Sequence, residues 1–343
     1  MERPIQGAKR SATACVTLAN IEAAGRRIAG RVASVPVRTS AALSSAAAHP
    51  VHLKSEGCQA TGSFKIRGAT NAVLALAPGA CSRGLATAST GNHGRALAHA
   101  AHGEGVRIVV CMSALVPTNK VEAVRALGAE IRIVGRSQDD AQLEVDRLVR
   151  EDGLIEIPPF DHPDVIAGQG TLGLEVVDAV PDVELVLVPL SGGGLAAGVA
   201  AAVKGRRPAA RVIGVSMMRG AAMQASLAAG RPVAVEEAET LADSLGGGIG
   251  LANQHTFAMC RDLLDGVVLV SEDEIAAGIR HLHAAEGETV EGAGAVGVAA
   301  LLAGKVEVQG PTVAILSGRN IDPGLHARIV SDQDDAPPGA RVA

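Results

Sequence analysis

From residue 51 onward the chain alternates short β-type runs with Ala-rich helical runs, and no other property limits its possible folds as tightly. The predicted strands are VHLKSEG (51–57), GLATAST, VRIVVCMS, EIRIVG, LIEIPP, ELVLVPL, RVIGVSM, GVVLVS and TVAILSG (312–318). Several are apolar almost throughout, which suits strands whose two faces are both covered by helices. Helix-like stretches such as NKVEAVRALG and DDAQLEVDRLVRED stand between them. Parallel strands need a crossover of that length, usually a helix, to bring the chain back to the starting end of the sheet. The pattern predicts an α/β fold of parallel sheets, and 343 residues suffice for two such units.

Punctuation divides the chain. Pro158-Pro159 and the loop around Pro78-Gly79 mark edges, so residues 69–160 are expected as an inserted small lobe. Residues 1–68 and 161–330 then combine into a large lobe, and the first dozen residues and the tail 331–343 are expected to be disordered. The core must be built from Ala, Val, Leu and Ile, because Trp and Tyr are absent and the only Phe are Phe64, Phe160 and Phe257. That scarcity, with a net charge of −5, argues against a nucleic-acid partner, which needs stacking platforms and a basic groove. Five scattered cysteines, Cys15, Cys58, Cys81, Cys111 and Cys260, lack zinc spacing and read as buried thiols of a reducing compartment. No metal is expected. No run approaches the roughly 20 apolar residues of a spanning helix, and MERPIQGAKRSATACV lacks the apolar segment of a leader. A cytoplasmic protein without a membrane partner is the expectation.

Four strand-to-helix turns carry chemistry. In Thr61-Gly62-Ser63-Phe64-Lys65-Ile66-Arg67-Gly68-Ala69, a lysine stands where a strand ends and a helix begins, either as an ordinary solvated lysine of the first helical turn or as a reactive amine. Such an amine forms a Schiff base only when neutral, so from an ordinary pKa of about 10.4 it needs desolvation or a cationic neighbour. Arg67, two residues on, is a candidate neighbour. Ser191-Gly192-Gly193-Gly194-Leu195 follows an apolar strand and opens a helix, which makes either a phosphate cradle of backbone N–H groups and helix dipole or merely a tight strand-to-helix turn. It lacks the P-loop lysine and the full GxGxxG fingerprint of nucleotide binders. Ser89-Thr90-Gly91-Asn92-His93-Gly94 has two readings: polar groups that hold a carboxylate and a ring hydroxyl, or a helix cap and turn. Ser317, in Leu316-Ser317-Gly318-Arg319-Asn320, ends the last strand, where open parallel sheets place their ligand crevice, and could serve a ring nitrogen. Glu291 opens the segment EGAGA and either caps the next helix or bounds the pocket.

One cofactor, pyridoxal 5′-phosphate, uses all four turns. With SFKIRGA, STGNHG, SGGGLAAG, EGAGA and LSGRN in this order, the chain resembles the fold type II (β-family) pyridoxal-phosphate enzymes, especially the serine/threonine dehydratases, from about Arg38 to Asp322. Its wording VVCMSALVPTNKVEAVRALGAEIRIVGRSQ, LADSLGGGIG and LSGRNID is similar to that of hydroxyectoine-utilisation dehydratases. The resemblance implies a tryptophan-synthase-β-like fold with two three-layer lobes and the cofactor between them. It implies Lys65 as Schiff-base lysine and Cα base, Phe64 beside the ring, and Asn92 on the 3′-oxygen. It assigns the phosphate to Gly192, Gly193, Gly194 and Leu195, and the ring nitrogen to Ser317. Ser89, Thr90, Gly91 and His93 would meet the substrate carboxylate, with Thr90 at the racemases' second acid/base position. A small-molecule amino acid is the expected substrate and a homodimer the expected assembly.

The sequence departs from the family it resembles at two places. Gly214-Val215-Ser216-Met217 stands where many relatives have a cation-binding Glu, leaving Asp243 as a lone carboxylate and making cation dependence doubtful. Arg319 replaces the usual glycine. A serine at the ring nitrogen implies a nearly neutral ring and a weak electron sink, which favours β-elimination of a hydroxyl over transamination. The expected activity is an ammonia-lyase on a β-hydroxy-α-amino acid: threonine, serine, or a ring-opened hydroxyectoine derivative. A racemase, a β-replacement enzyme and a catalytically silent cofactor-binding sensor are the alternatives.

Overall fold

The computed structural model describes residues 15–89, 91–116 and 118–331. Thr90, the first dozen residues, the expected disordered tail apart from Ser331, and the side chains of residues 119, 120 and 138 lie outside that description. The strands are β1 (Val37–Thr39), β2 (Val51–Ser55), β3 (Leu85–Ala88), β4 (Ile108–Met112), β5 (Glu130–Ile133), β6 (Ile155–Glu156), β7 (Leu185–Pro189), β8 (Arg211–Met217), β9 (Gly266–Val270) and β10 (Thr312–Leu316). All nine predicted runs are strands, and β1 is additional. They form two sheets, ordered β1-β2-β10-β7-β8-β9 and β5-β4-β3-β6. Every pairing is parallel except that of β1 with β2. The α/β class and its parallel sheets are as expected.

Parallel order puts the C-terminal ends of the strands of each sheet on one side. The turns after β2, β3, β7 and β10 are the four chemical segments, and each leads toward or into a new element. The helix Lys65–Leu74 shares a core with the small sheet and Pro163–Ala179 shares one with the large sheet, and these two helices pack on each other, the latter packing on Gly194–Arg206 as well. Their backbones meet at glycines: a Cβ on Gly168 would come within 2.6 Å of Arg67 O, and one on Gly198 within 2.4 Å of Ile166 O. Such approach excludes any larger side chain, which is why IAGQGTLGLE is glycine-rich in mid-helix at a cost in helix propensity. Among the described residues no helix is long and apolar enough to cross a membrane.

The thiols do not behave as one class. Cys111 and Cys260 are buried, but Cys15 and Cys58 are exposed and Cys81 is half-buried. The expectation of five buried thiols is corrected: Cys58 is the exposed last residue of a short 3-10 turn whose Glu56 and Gly57 are buried, and Cys15 is exposed ahead of the first helix.

Candidate cofactor and substrate site

Lys65 is the first residue of its helix. The turn before it is stitched to the end of β10, with Phe64 N donating to Ser317 O at 3.0 Å and Arg319 N to Gly62 O at 2.9 Å. Gly62 is needed there: its φ is +75°, and a Cβ would lie 2.4 Å from Asn320 Oδ1. Lys65 Nζ donates to Pro159 O at 2.8 Å and lies 5.3 Å from the centre of the Phe64 ring. Burial lowers its pKa to about 8, against an upward pull from the Glu291 carboxylate.

Arg67 plays no part in that shift. Its guanidinium turns the other way, donating from Nε and Nη2 to Glu56 at 2.8 Å each, and to Glu175 at 2.8 and 2.9 Å. Lys54 joins the same cluster through Glu175 and the Val35 carbonyl. Lys54 and Glu56 are wholly buried and Arg67 is 1 % exposed. The cationic-neighbour reading is corrected, because two carboxylates claim the arginine and desolvation alone lowers the lysine. Lys54, Glu56 and Glu175 are absent from the sequence reading, although a Lys and a Glu at the end of a strand otherwise covered on both faces are a readable sign of a buried ion network.

The glycine loop joins β7 to the helix Gly194–Arg206. Gly193 has φ +91°, and a Cβ on it would strike Met223, Cys260 and Thr256 at 2.7, 2.9 and 3.0 Å. A Cβ on Gly192 would meet the Phe160 ring at 2.5 Å. Among the described residues the N–H groups of Gly192, Gly193, Gly194 and Leu195 find no acceptor, though all four residues are buried. Buried N–H groups are seldom left so, and four together at a helix start call for an anion.

The polar loop after β3 mixes its two readings. Ser89 Oγ accepts from Gly94 N at 3.0 Å and Gly91 N at 3.5 Å, so it caps the helix Asn92–Gly103. Asn92 Nδ2 donates to Glu291 Oε1 at 2.8 Å, and its Oδ1 accepts from Asn320, which also bonds Thr61 O at 2.9 Å. One amide N–H of Asn92 has no acceptor among the described residues. His93 is 3 % exposed, its Nε2 paired with Ile157 O at 2.9 Å and its Nδ1 without a partner among the described residues. Burial first, then the Lys65 charge, lowers its pKa to about 3, so the ring is neutral at working pH. Ser317 is 2 % exposed, and its hydroxyl makes no hydrogen bond among the described residues. Glu291 does more than precede a helix. It bonds Asn92 and bears on Lys65, which brings it into the site. The structure thus gathers Phe64, Lys65, Ser89, Gly91, Asn92, His93, Gly192, Gly193, Gly194, Leu195 and Ser317 around the C-terminal strand ends. It adds Asn320, Glu291 and the Pro159 carbonyl.

This donor set fits a phosphorylated aldehyde: an enclosed amine, a cradle of unpaired N–H groups and a hydroxyl at the strand end. Known proteins agree. Residues 28–318 match the family model described as pyridoxal-phosphate dependent enzyme. The chain is 62% identical over 92% of its length to a putative threonine dehydratase of Sinorhizobium fredii, of which it covers 96%. It is 39% identical over 90% of its length to the catabolic L-threonine dehydratase of Escherichia coli, covering 94% of that protein. Among solved structures, maize serine racemase superposes with a TM-score of 0.87 at 31% identity, covering 93% of this chain and 98% of that one. A threonine deaminase from T.th. gives 0.83 at 36% identity, with 89% and 99% covered. The chain belongs to the pyridoxal-phosphate dependent enzyme family, within its fold type II branch, and pyridoxal 5′-phosphate is its cofactor.

Proposed function

We propose that this enzyme is a lyase that removes the β-hydroxyl of a β-hydroxy-α-amino acid such as threonine or serine, releasing a 2-keto acid and ammonia. The observation that carries the reading is the Lys65 amine held on Pro159 O beside Phe64, in one site with the unpaired N–H groups of the glycine loop; burial lowers the pKa of that amine to about 8. At pH 7 about a tenth of it is neutral, against fewer than about one in a thousand for a free lysine. The cofactor, when bound, supplies an aldehyde that captures amines and a conjugated ring that takes up negative charge from the substrate Cα.

The chain's own residues do the rest. Lys65 would hold the aldehyde and, once released by the substrate amine, take the Cα proton on Nζ. The N–H groups of Gly192, Gly193, Gly194 and Leu195 would bind the phosphate, and the remaining Asn92 N–H would serve the 3′-oxygen. Phe64 would bound the ring. Ser317 offers the ring nitrogen a hydroxyl and no carboxylate, so that nitrogen stays unprotonated and negative charge is best drained by a leaving group. Ser89 Oγ is an acceptor for two N–H groups, and its own proton, without an acceptor among the described residues, would serve a substrate oxygen. Thr90 would share that work with Gly91. The neutral His93 ring brings no cation to a carboxylate, which leaves its main-chain N–H for that contact.

The names of the relatives support elimination; the likeness to serine racemase supports a second reading, reprotonation at Cα with Thr90 as the second acid/base group. A ring-opened hydroxyectoine derivative is the finer substrate reading, supported by the wording of LADSLGGGIG and LSGRNID. Purified enzyme is incubated with L-threonine, L-serine and the ring-opened compound, with ammonia assayed and recovered substrate analysed for chirality. Ammonia release that disappears in Lys65→Ala is the expected result. Racemised substrate without ammonia favours the second reading, and turnover of threonine alone removes the finer one. Light scattering on the eluted protein tests the homodimer.

A further inference from the structure

The segment between β6 and the helix Pro163–Ala179 touches three parts of the site. Ile157 O accepts from His93, Pro159 O accepts from Lys65, and Phe160 lies against Gly192 and Gly194 of the glycine loop. Yet little of its own backbone can hold it. Pro158 and Pro159 have no N–H, and β6 is only two residues long. Its anchor is Asp161. Oδ2 of that carboxylate accepts from Gln254 N at 2.7 Å, and Oδ1 accepts from His255 N at 3.0 Å and Thr256 N at 2.9 Å. These are the unpaired N–H groups at the start of the helix Thr256–Leu263, which has no side-chain cap from its own N-cap residue. Thr256 and Cys260 of that helix form the opposite wall of Gly193.

We infer that Asp161 is a positioning residue: by fastening the diproline segment to the helix behind the glycine loop, it holds the Pro159 carbonyl against the Lys65 amine and Phe160 against the phosphate cradle. Three charge-assisted bonds to one carboxylate form a rigid joint, and among the described residues the segment has no equivalent one elsewhere. Without it the segment loosens, water reaches Nζ, and the desolvation that keeps this lysine reactive is lost. The other titratable groups bearing on Nζ are Glu291, which stands on a separate element, and His93, whose ring is bonded to Ile157 O of the same segment.

The inference rests on Lys65 as the reactive amine, and its test reads that amine without any reaction. The apoprotein is labelled competitively with acetic anhydride across pH 6–11, and Lys65 is compared with Lys204 and Lys305 by peptide mass spectrometry. Wild type is expected to titrate near 8. In Asp161→Ala the midpoint moves up by about one unit, a tenfold loss of neutral amine at pH 7, and Asp161→Asn, which keeps one acceptor oxygen, gives a smaller shift. Ser271→Ala, which uncaps the remote helix Glu272–Glu286, controls for general loss of stability and leaves the Lys65 profile unmoved. Holoenzyme variants show the same ranking in the pyridoxal-phosphate concentration needed to restore the visible absorption band. Wild-type labelling profiles in both Asp161 variants, or an equal shift in Ser271→Ala, overturn the inference. Should Asp161→Ala not fold, Asp161→Asn alone decides. If instead Lys65→Ala retains turnover while the Asp161 shifts are seen, the assignment of function fails and the positioning role stands.

Discussion

At the residue scale, what matters is how the chain makes one lysine different from the others. Desolvation without a paired carboxylate does so, since Lys54 is buried too but is paired with Glu175, whereas the Lys65 amine donates to the Pro159 carbonyl; the direction of the shift fixes the pH behaviour. The neutral amine is the reactive form, and the folded pKa of about 8 lies below the ordinary value. Capture of pyridoxal phosphate by the apoprotein is therefore expected to quicken about tenfold per pH unit below 8 and to level off above it, as stopped-flow absorbance near the visible band would record. A rise continuing to pH 10 would mean that the amine is solvated. The position of Lys65 at the start of a helix is legible in the sequence because it rests on local order: strand, small residues, lysine, helix. The cause of its reactivity is not. Arg67 looked like the activating cation from two residues away, but successive helical positions point in different directions, and its partners Glu56 and Glu175 lie on other elements. Likewise Asn92 could be picked out, but not the fact that Glu291 and Asn320 engage both ends of its amide.

At the element scale, the parallel strands were readable because burial on both faces makes them apolar throughout, as in β4 and β7. Strand β1 escaped notice because it has three residues, lies at the sheet edge and is buried nowhere along its length. Glycines inside helices were the harder signal. IAGQGTLGLE reads as a poor helix, but its glycines are the contact points of three crossing helices. Gly170 and Gly198 face each other, and a Cβ on Gly170 would come within 2.9 Å of Gly198 O. Gly198→Ala is expected to destabilise by about 1–3 kcal/mol, the usual cost of overpacking a tight core. Gly103→Ala, near the end of a helix with open space around it, should be neutral or stabilising by up to about 1 kcal/mol. Urea denaturation of the two variants checks the contrast, and equal effects would show that helix propensity, not backbone approach, decides at Gly198.

At the scale of the whole molecule, the site belongs to neither sheet. The large sheet supplies the lysine turn after β2, the glycine loop after β7 and Ser317 after β10; the small sheet supplies Ser89 to His93 after β3 and, after β6, the diproline segment. Contacts that join the two sets include the bond from Lys65 to Pro159 and the one between Asn320 and Asn92, side chains 228 residues apart in sequence. A ligand that engages both sets must hold the sheets to each other, so binding energy is shared between them and appears as stability added to both. Hydrogen exchange of the loaded protein against the apoprotein should then show protection in peptides covering 89–103 and 157–162 as well as 190–206. The effect in the first two is the informative one, because phosphate on the glycine loop alone would slow exchange only in the third. Protection confined to 190–206 would place the cofactor on the large sheet by itself and leave the polar loop for the substrate alone, in which case Asn92 would not serve the cofactor's 3′-oxygen.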